Sequence, residues 1–172
     1  MGSGTQPIVA LKKSKLDYFF QYSSFSIVLF MWSYASYHYN ALPGIIPIHF
    51  DLSGSPDGYG SKNTIWIIPG IVTLIIFLLN FLSRFPHKFN YISKINEDNA
   101  AKQYKSSVRL LRILSFNISV LFCYIIVSEI QGAISNHSML GWWFIPLLLI
   151  SMITPTIYMT VSSRRNNKQL PF

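Results

Sequence analysis

The chain has 172 residues, 51% of them hydrophobic and 12% charged, with a mean hydropathy of +0.35. These figures exclude a disordered chain and argue against a water-soluble globule, because long apolar stretches separate the charges instead of alternating with them. Fourteen basic and six acidic residues give a net charge of +8. The basic residues sit at the ends of apolar spans, so membrane topology accounts for them before nucleic-acid binding does, and no nucleic-acid partner is assigned. Cys123 alone can form no intramolecular disulfide or cysteine-based zinc site; inside its apolar run it reads as a small buried hydrophobe.

Residues 1–17 are expected to be a cytoplasmic segment, with Lys12, Lys13 and Lys15 ahead of a first span over 18–39. That span holds Ser23, Ser24, Ser26, Ser33 and Ser36 among several tyrosines, a composition suited to packing on other helices or lining a polar cavity. No removable signal peptide is read before Lys12, so the span is expected to serve as an uncleaved anchor. The second span, 64–83, has no charge between Ile65 and Leu82. A cytoplasmic connection over 84–109 follows, in which Asn96-Glu97-Asp98-Asn99 marks a helix N-terminus with acidic residues at the positive end of the dipole. Lys102, Lys105, Arg109 and Arg112 are read as one basic face, either an anchor on anionic lipid or a docking surface for a cytoplasmic protein partner. The third and fourth spans are placed at 110–133 and 140–162, and a tail over 163–172 carries Arg164, Arg165 and Lys168. Pro69, Pro146 and Pro155 are expected to interrupt the second and fourth helices.

Thirteen of the fourteen basic residues then fall on one side and Lys62 alone on the other. The positive-inside rule puts both termini in the cytoplasm and the connections 40–63 and 134–139 outside. The expected fold is an all-α integral protein of the bacterial cytoplasmic (inner) membrane. Its four-helix membrane domain spans 18–162, with a structured extracytoplasmic loop, 40–63, after the first helix.

That loop is rich in proline and glycine, which break helices. Pro47 to Leu52 alternates apolar and polar side chains, as a short extended piece that turns at Gly54 does, and Ser55-Pro56-Asp57-Gly58 reads as a tight turn with proline at its second position. Ile45, Ile46, Ile48, Phe50 and Leu52 are too apolar for a solvated loop, so it is expected to fold down as a cap on the helix ends.

The run Leu42 to Pro47, His49-Phe50, Gly54, Asp57-Gly58-Tyr59-Gly60 and Ser61-Lys62, followed by an apolar span containing Pro69, resembles the bacterial membrane family of domain of unknown function 1648. The resemblance extends over roughly residues 20 to 80. The same domain forms the N-terminal part of SdpI-type immunity proteins, which protect a toxin-producing cell and can hold a transcriptional repressor at the membrane. The resemblance therefore implies an immunity or signalling role for the first half of this chain.

The candidate cap or ligand-binding residues are His49, Phe50, Asp51, Asp57, Tyr59, Lys62, Glu129 and Trp142. Lys62, the one basic residue predicted outside, is expected to pair with a carboxylate from Asp51, Asp57 or Glu129. His49 reads either as a loop-locking histidine or as a ligand-binding group. With Asp51, Glu129 and His137 it makes a hypothetical metal set, without a His-Glu-x-x-His pair or a cysteine cluster beside it. No nucleophile elbow, Ser-x-x-Lys pair or phosphate loop appears, so no catalytic residue and no cofactor are assigned. The residues favour a binding or immunity-type module that recognises a peptide, toxin or lipid at the outer face. A metal-dependent membrane enzyme and a structural subunit of a membrane complex are the alternatives.

Overall fold

The computed structural model describes residues 6–51, 53–91, 94–135 and 140–167. Four long helices follow one another: α1 (Lys15–His38), α2 (Ile67–Leu82), α3 (Glu97–Ser135) and α4 (Phe144–Asn167). Between α1 and α2 lies an antiparallel hairpin of β1 (Ile45–Phe50) and β2 (Pro56–Ser61), so the chain is predominantly helical but not all-α. Among the described residues, three helical segments are long and apolar enough to cross a membrane: Lys62–Leu82, Glu97–Ser135 and Phe144–Ser162. α1 is not one of them. Its 24 residues would reach about 36 Å, but its serines and tyrosines dilute the hydropathy.

Helix boundaries follow local chemistry. Ser14 caps α1: its hydroxyl accepts the Asp17 backbone N–H while the Asp17 carboxylate accepts the Ser14 N–H, closing a capping box. The cytoplasmic helix expected before the third span and the span itself are one continuous helix of 39 residues, because nothing between Asn99 and Ser135 breaks it. Pro69 and Pro146 fall in the first turns of α2 and α4, where the missing N–H has no helical partner to lose, so neither interrupts its helix. Pro155 alone stands inside a helix. It denies the Ser151 carbonyl, four residues earlier, its backbone partner, and the Asn117 side-chain amide of α3 donates to that carbonyl at 3.2 Å.

The core lies at the hairpin end of the bundle. Met31 and Ala35 of α1, Ile46 of β1, Val72 and Ile76 of α2, and Ile126 and Ile130 of α3 are fully buried together, with Ile65 just before α2. Among the described residues α4 contributes nothing to this cluster, and it packs on α3. Leu149, Ile150, Met152, Ile153, Ile157, Met159 and Val161 of α4 are exposed apolar groups, as on a helix bathed in lipid.

Candidate functional site

The loop predicted as a cap is a two-stranded hairpin, and its turn is not where the proline points. Ser55 to Gly58 does not form the turn: Pro56, Asp57 and Gly58 belong to β2, and the chain reverses over Asp51–Ser55. The Asp51 side chain drives the reversal. One carboxylate oxygen accepts the Ser53 N–H at 2.8 Å, the Ser53 hydroxyl at 2.6 Å and the Ser55 N–H at 2.9 Å, while the Gly54 N–H bonds the Asp51 carbonyl. The Ser53 hydroxyl first, then the Ser55 amide, hold the Asp51 carboxyl below its ordinary value against a smaller desolvation effect. Asp51 is therefore committed to the turn.

Register slips at two places, between Pro47 and His49 on one strand and opposite Asp57 on the other. These bulges re-aim neighbouring side chains, and His49 Nδ1 and the Asp57 carboxylate meet in a hydrogen-bond contact across the strands, both exposed. Gly58 sits opposite His49, whose Cβ would lie 2.9 Å from a Cβ at that position, so a side chain there would force the strands apart.

The hairpin presents two faces. Ile46 and Pro47 are buried against the bundle, whereas Ile45, Ile48 and Tyr59 are exposed and Phe50 is half-buried. At the tip, Gly54 adopts φ +81° and approaches Gly141 so closely that a Cβ would stand 2.8 Å from the Gly141 nitrogen. The hairpin is thereby pinned to the connection between α3 and α4, which Tyr124 of α3 also holds by donating to the Leu140 carbonyl. Trp142 follows, 66% exposed and stacked on Trp143 at 3.8 Å between centroids. Trp142 thus stands beside the hairpin tip.

Lys62 meets Tyr39 and no carboxylate: its Nζ donates to the Tyr39 carbonyl at 3.4 Å and lies 4.6 Å from the ring centroid, and among the described residues it forms no ion pair. A cation over an aromatic face and a carbonyl replace the expected salt bridge. Glu129 is buried in α3 with 4% exposure, and no described side chain hydrogen-bonds or pairs with its carboxyl group. Among the described residues no three His, Cys, Asp or Glu side chains gather to hold a metal. His49 is taken by Asp57, Asp51 by its own turn, and Glu129 lies inside the helix bundle; His137 and Leu52 lie outside the described residues.

The second half of α1, the whole hairpin and the start of α2 coincide with a match to the family model Domain of unknown function (DUF1648), over residues 26–73. Residues 26–73 carry the DUF1648 domain. An uncharacterized protein of Archaeoglobus fulgidus is similar to this chain, 23% identical over 159 residues that cover 83% of this chain and 87% of the relative. No solved structure matches. The similarity to the archaeal protein thus reaches well past the DUF1648 segment into α3.

Outside the DUF1648 segment, the structure assembles a buried charge cluster that the sequence reading missed. Asp17, 2% exposed, accepts Arg109 Nε at 3.0 Å and Arg112 Nη1 at 3.1 Å on one oxygen, and the Ser14 hydroxyl at 2.7 Å on the other. Burial pushes the Asp17 carboxyl up, but the bonds from Arg109 and Ser14 together outweigh it and hold the carboxyl well below the ordinary range. The expected basic face of α3 is therefore split: Lys102 and Lys105 are exposed, and Arg109 and Arg112 turn into the bundle. The Ser14-x-x-Asp17 capping signal was the visible trace of this cluster.

Proposed function

We propose that this chain is an integral protein of the cytoplasmic membrane, crossing it four times with both termini inside. Its hairpin cap recognises a hydrophobic peptide, toxin or lipid at the outer face. α1 supports the fourth crossing. It extends from the Asp17–Arg109 pair to Ala35 beneath the hairpin, alongside the length of α3 from Arg109 to Ile130. The distribution of lysine and arginine supports the orientation.

One observation carries the recognition reading. Ile45, Tyr59 and Trp142 are each more than 60% exposed on backbone that is held by the Gly54–Gly141 approach and the Asp51 turn. Rigid, exposed apolar and aromatic side chains beside the polar His49–Asp57 pair are the composition of a binding surface. The resemblance to the N-terminal domain of SdpI-type immunity proteins points the same way. The test is survival of the native host, with the gene deleted and then restored, under challenge by membrane-active peptides. Restoration by the native gene and not by an Ile45→Ser/Tyr59→Ser double variant is the expected result; both side chains are exposed, so the variant retains the fold. Equal survival of the deleted and intact strains under every challenge would defeat the proposal.

A further inference from the structure

At the end of the bundle away from the hairpin, the segment before α1, the first turns of α1, the end of α2 and the middle of α3 enclose a half-open cavity of about 500 Å³. That volume lies within the ~300–1,000 Å³ of small-molecule pockets. Its walls carry Lys12, Lys13, Arg84, Lys105 and Arg112, against one acid, Asp17. Asp17 is already committed to Arg109 and Arg112, so one buried carboxylate serves two guanidinium groups and the cluster keeps a net positive charge.

Arg112 shows what the cavity lacks. The residue is 6% exposed, its Nη1 reaches Asp17, and its Nε is enclosed with no hydrogen-bond partner among the described residues. A buried guanidinium N–H without an acceptor is costly, and an oxygen anion entering the cavity would satisfy it. Another wall is apolar: Phe25, Phe77 and Phe81 line it, and the last two remain 61% and 54% exposed along the flank of α2. A basic pocket floored by an unsatisfied arginine and opening along an apolar helix flank is complementary to a molecule with an anionic head and hydrocarbon tails. The pocket also lies where α2 ends and α1 begins, the level at which a lipid headgroup would stand.

We infer that this cavity binds the phosphate headgroup of an anionic phospholipid. The phosphate bonds Arg112 Nε and the surrounding lysines and Arg84, and the acyl chains run along Phe77 and Phe81. This differs from general attraction of a basic face to a membrane surface, since it assigns one lipid to one pocket. It is also independent of what the hairpin recognises.

The protein reconstituted in phosphatidylcholine nanodiscs, with and without phosphatidylglycerol, provides the test. Retained lipid is measured by native mass spectrometry and the unfolding midpoint by thermal melting. Phosphatidylglycerol is expected to raise the midpoint and to be retained in preference to phosphatidylcholine. An Arg84→Gln/Lys105→Gln variant, altered only at exposed positions, is expected to weaken that preference roughly tenfold or more. An Arg112→Lys variant, which keeps a charge for Asp17 but lacks Nε, is expected to weaken it as well. Equal retention of the two lipids, or a preference undiminished in the double variant, would overturn the inference. So would inorganic phosphate alone giving the same midpoint shift in phosphatidylcholine discs, which would assign the pocket to a soluble anion.

Discussion

Asp17 is the residue on which the end of the bundle remote from the hairpin turns, because it joins the α1 cap to two arginines more than ninety positions away. Removing one partner of a buried ion pair typically costs about 3–5 kcal/mol, since the charges left behind have no compensation. Asp17→Asn is expected to lower the unfolding free energy by that order, measured by denaturant titration in a fixed detergent. The sign of the pH dependence follows from the depressed carboxyl. Its contribution is fully present above the ordinary carboxylate value and is lost as pH falls through the lower folded value. The native protein should therefore lose stability as the pH drops below about 4, and Asp17→Asn should lack that part of the acid limb. Gly54 is a second such position. Gly54→Ala places a side chain at positive φ, costing about 1–2 kcal/mol, and drives its Cβ onto the Gly141 backbone. Faster proteolytic cleavage within the hairpin of Gly54→Ala than of the native protein is the expected outcome.

At the scale of elements, the sequence reading succeeds where apolar length or a cap decides the structure. It fails where the partner is distant or the turn depends on a side chain. The apolar runs of α2, α3 and α4 and the capping pattern at the start of α3 are legible because hydropathy and local chemistry suffice. β2 was not legible: Pro56, Gly58 and Gly60 are poor strand formers, and the strand exists because β1 and two bulges accommodate them. The turn at Gly54 was legible from its glycine, whereas the Asp51 side chain that drives it was not, and the second turn expected at Pro56 is strand instead. Asn117 shows the same lesson between helices, since only the packed pair reveals that it serves the carbonyl freed by Pro155. Asn117→Ala is expected to cost about 1–3 kcal/mol for that orphaned carbonyl. In a Pro155→Ala background the cost should shrink, because Ser151 regains a backbone donor, and a double-mutant cycle of melting free energies measures the difference.

For the whole molecule, the membrane character was legible from composition alone, and the hairpin site only in part. His49, Asp57, Tyr59 and Trp142 do stand at one end of the bundle, brought together by the bulged register and by the approach of Gly54 to Gly141. The expected Lys62 salt bridge and the metal set do not form among the described residues. Shared membrane depth says nothing about which side chains already have nearer partners: Tyr39 for Lys62, Asp57 for His49. Recognition at the outer face requires the hairpin to face outward and to be occupied there. A single cysteine at Tyr59→Cys, with Cys123→Ala removing the other thiol, tests both points with a membrane-impermeant maleimide on intact cells. Labelling without lysis, reduced by prior addition of a membrane-active peptide against which the gene protects, is the predicted result. Labelling that appears only after lysis would place the hairpin inside and contradict the account.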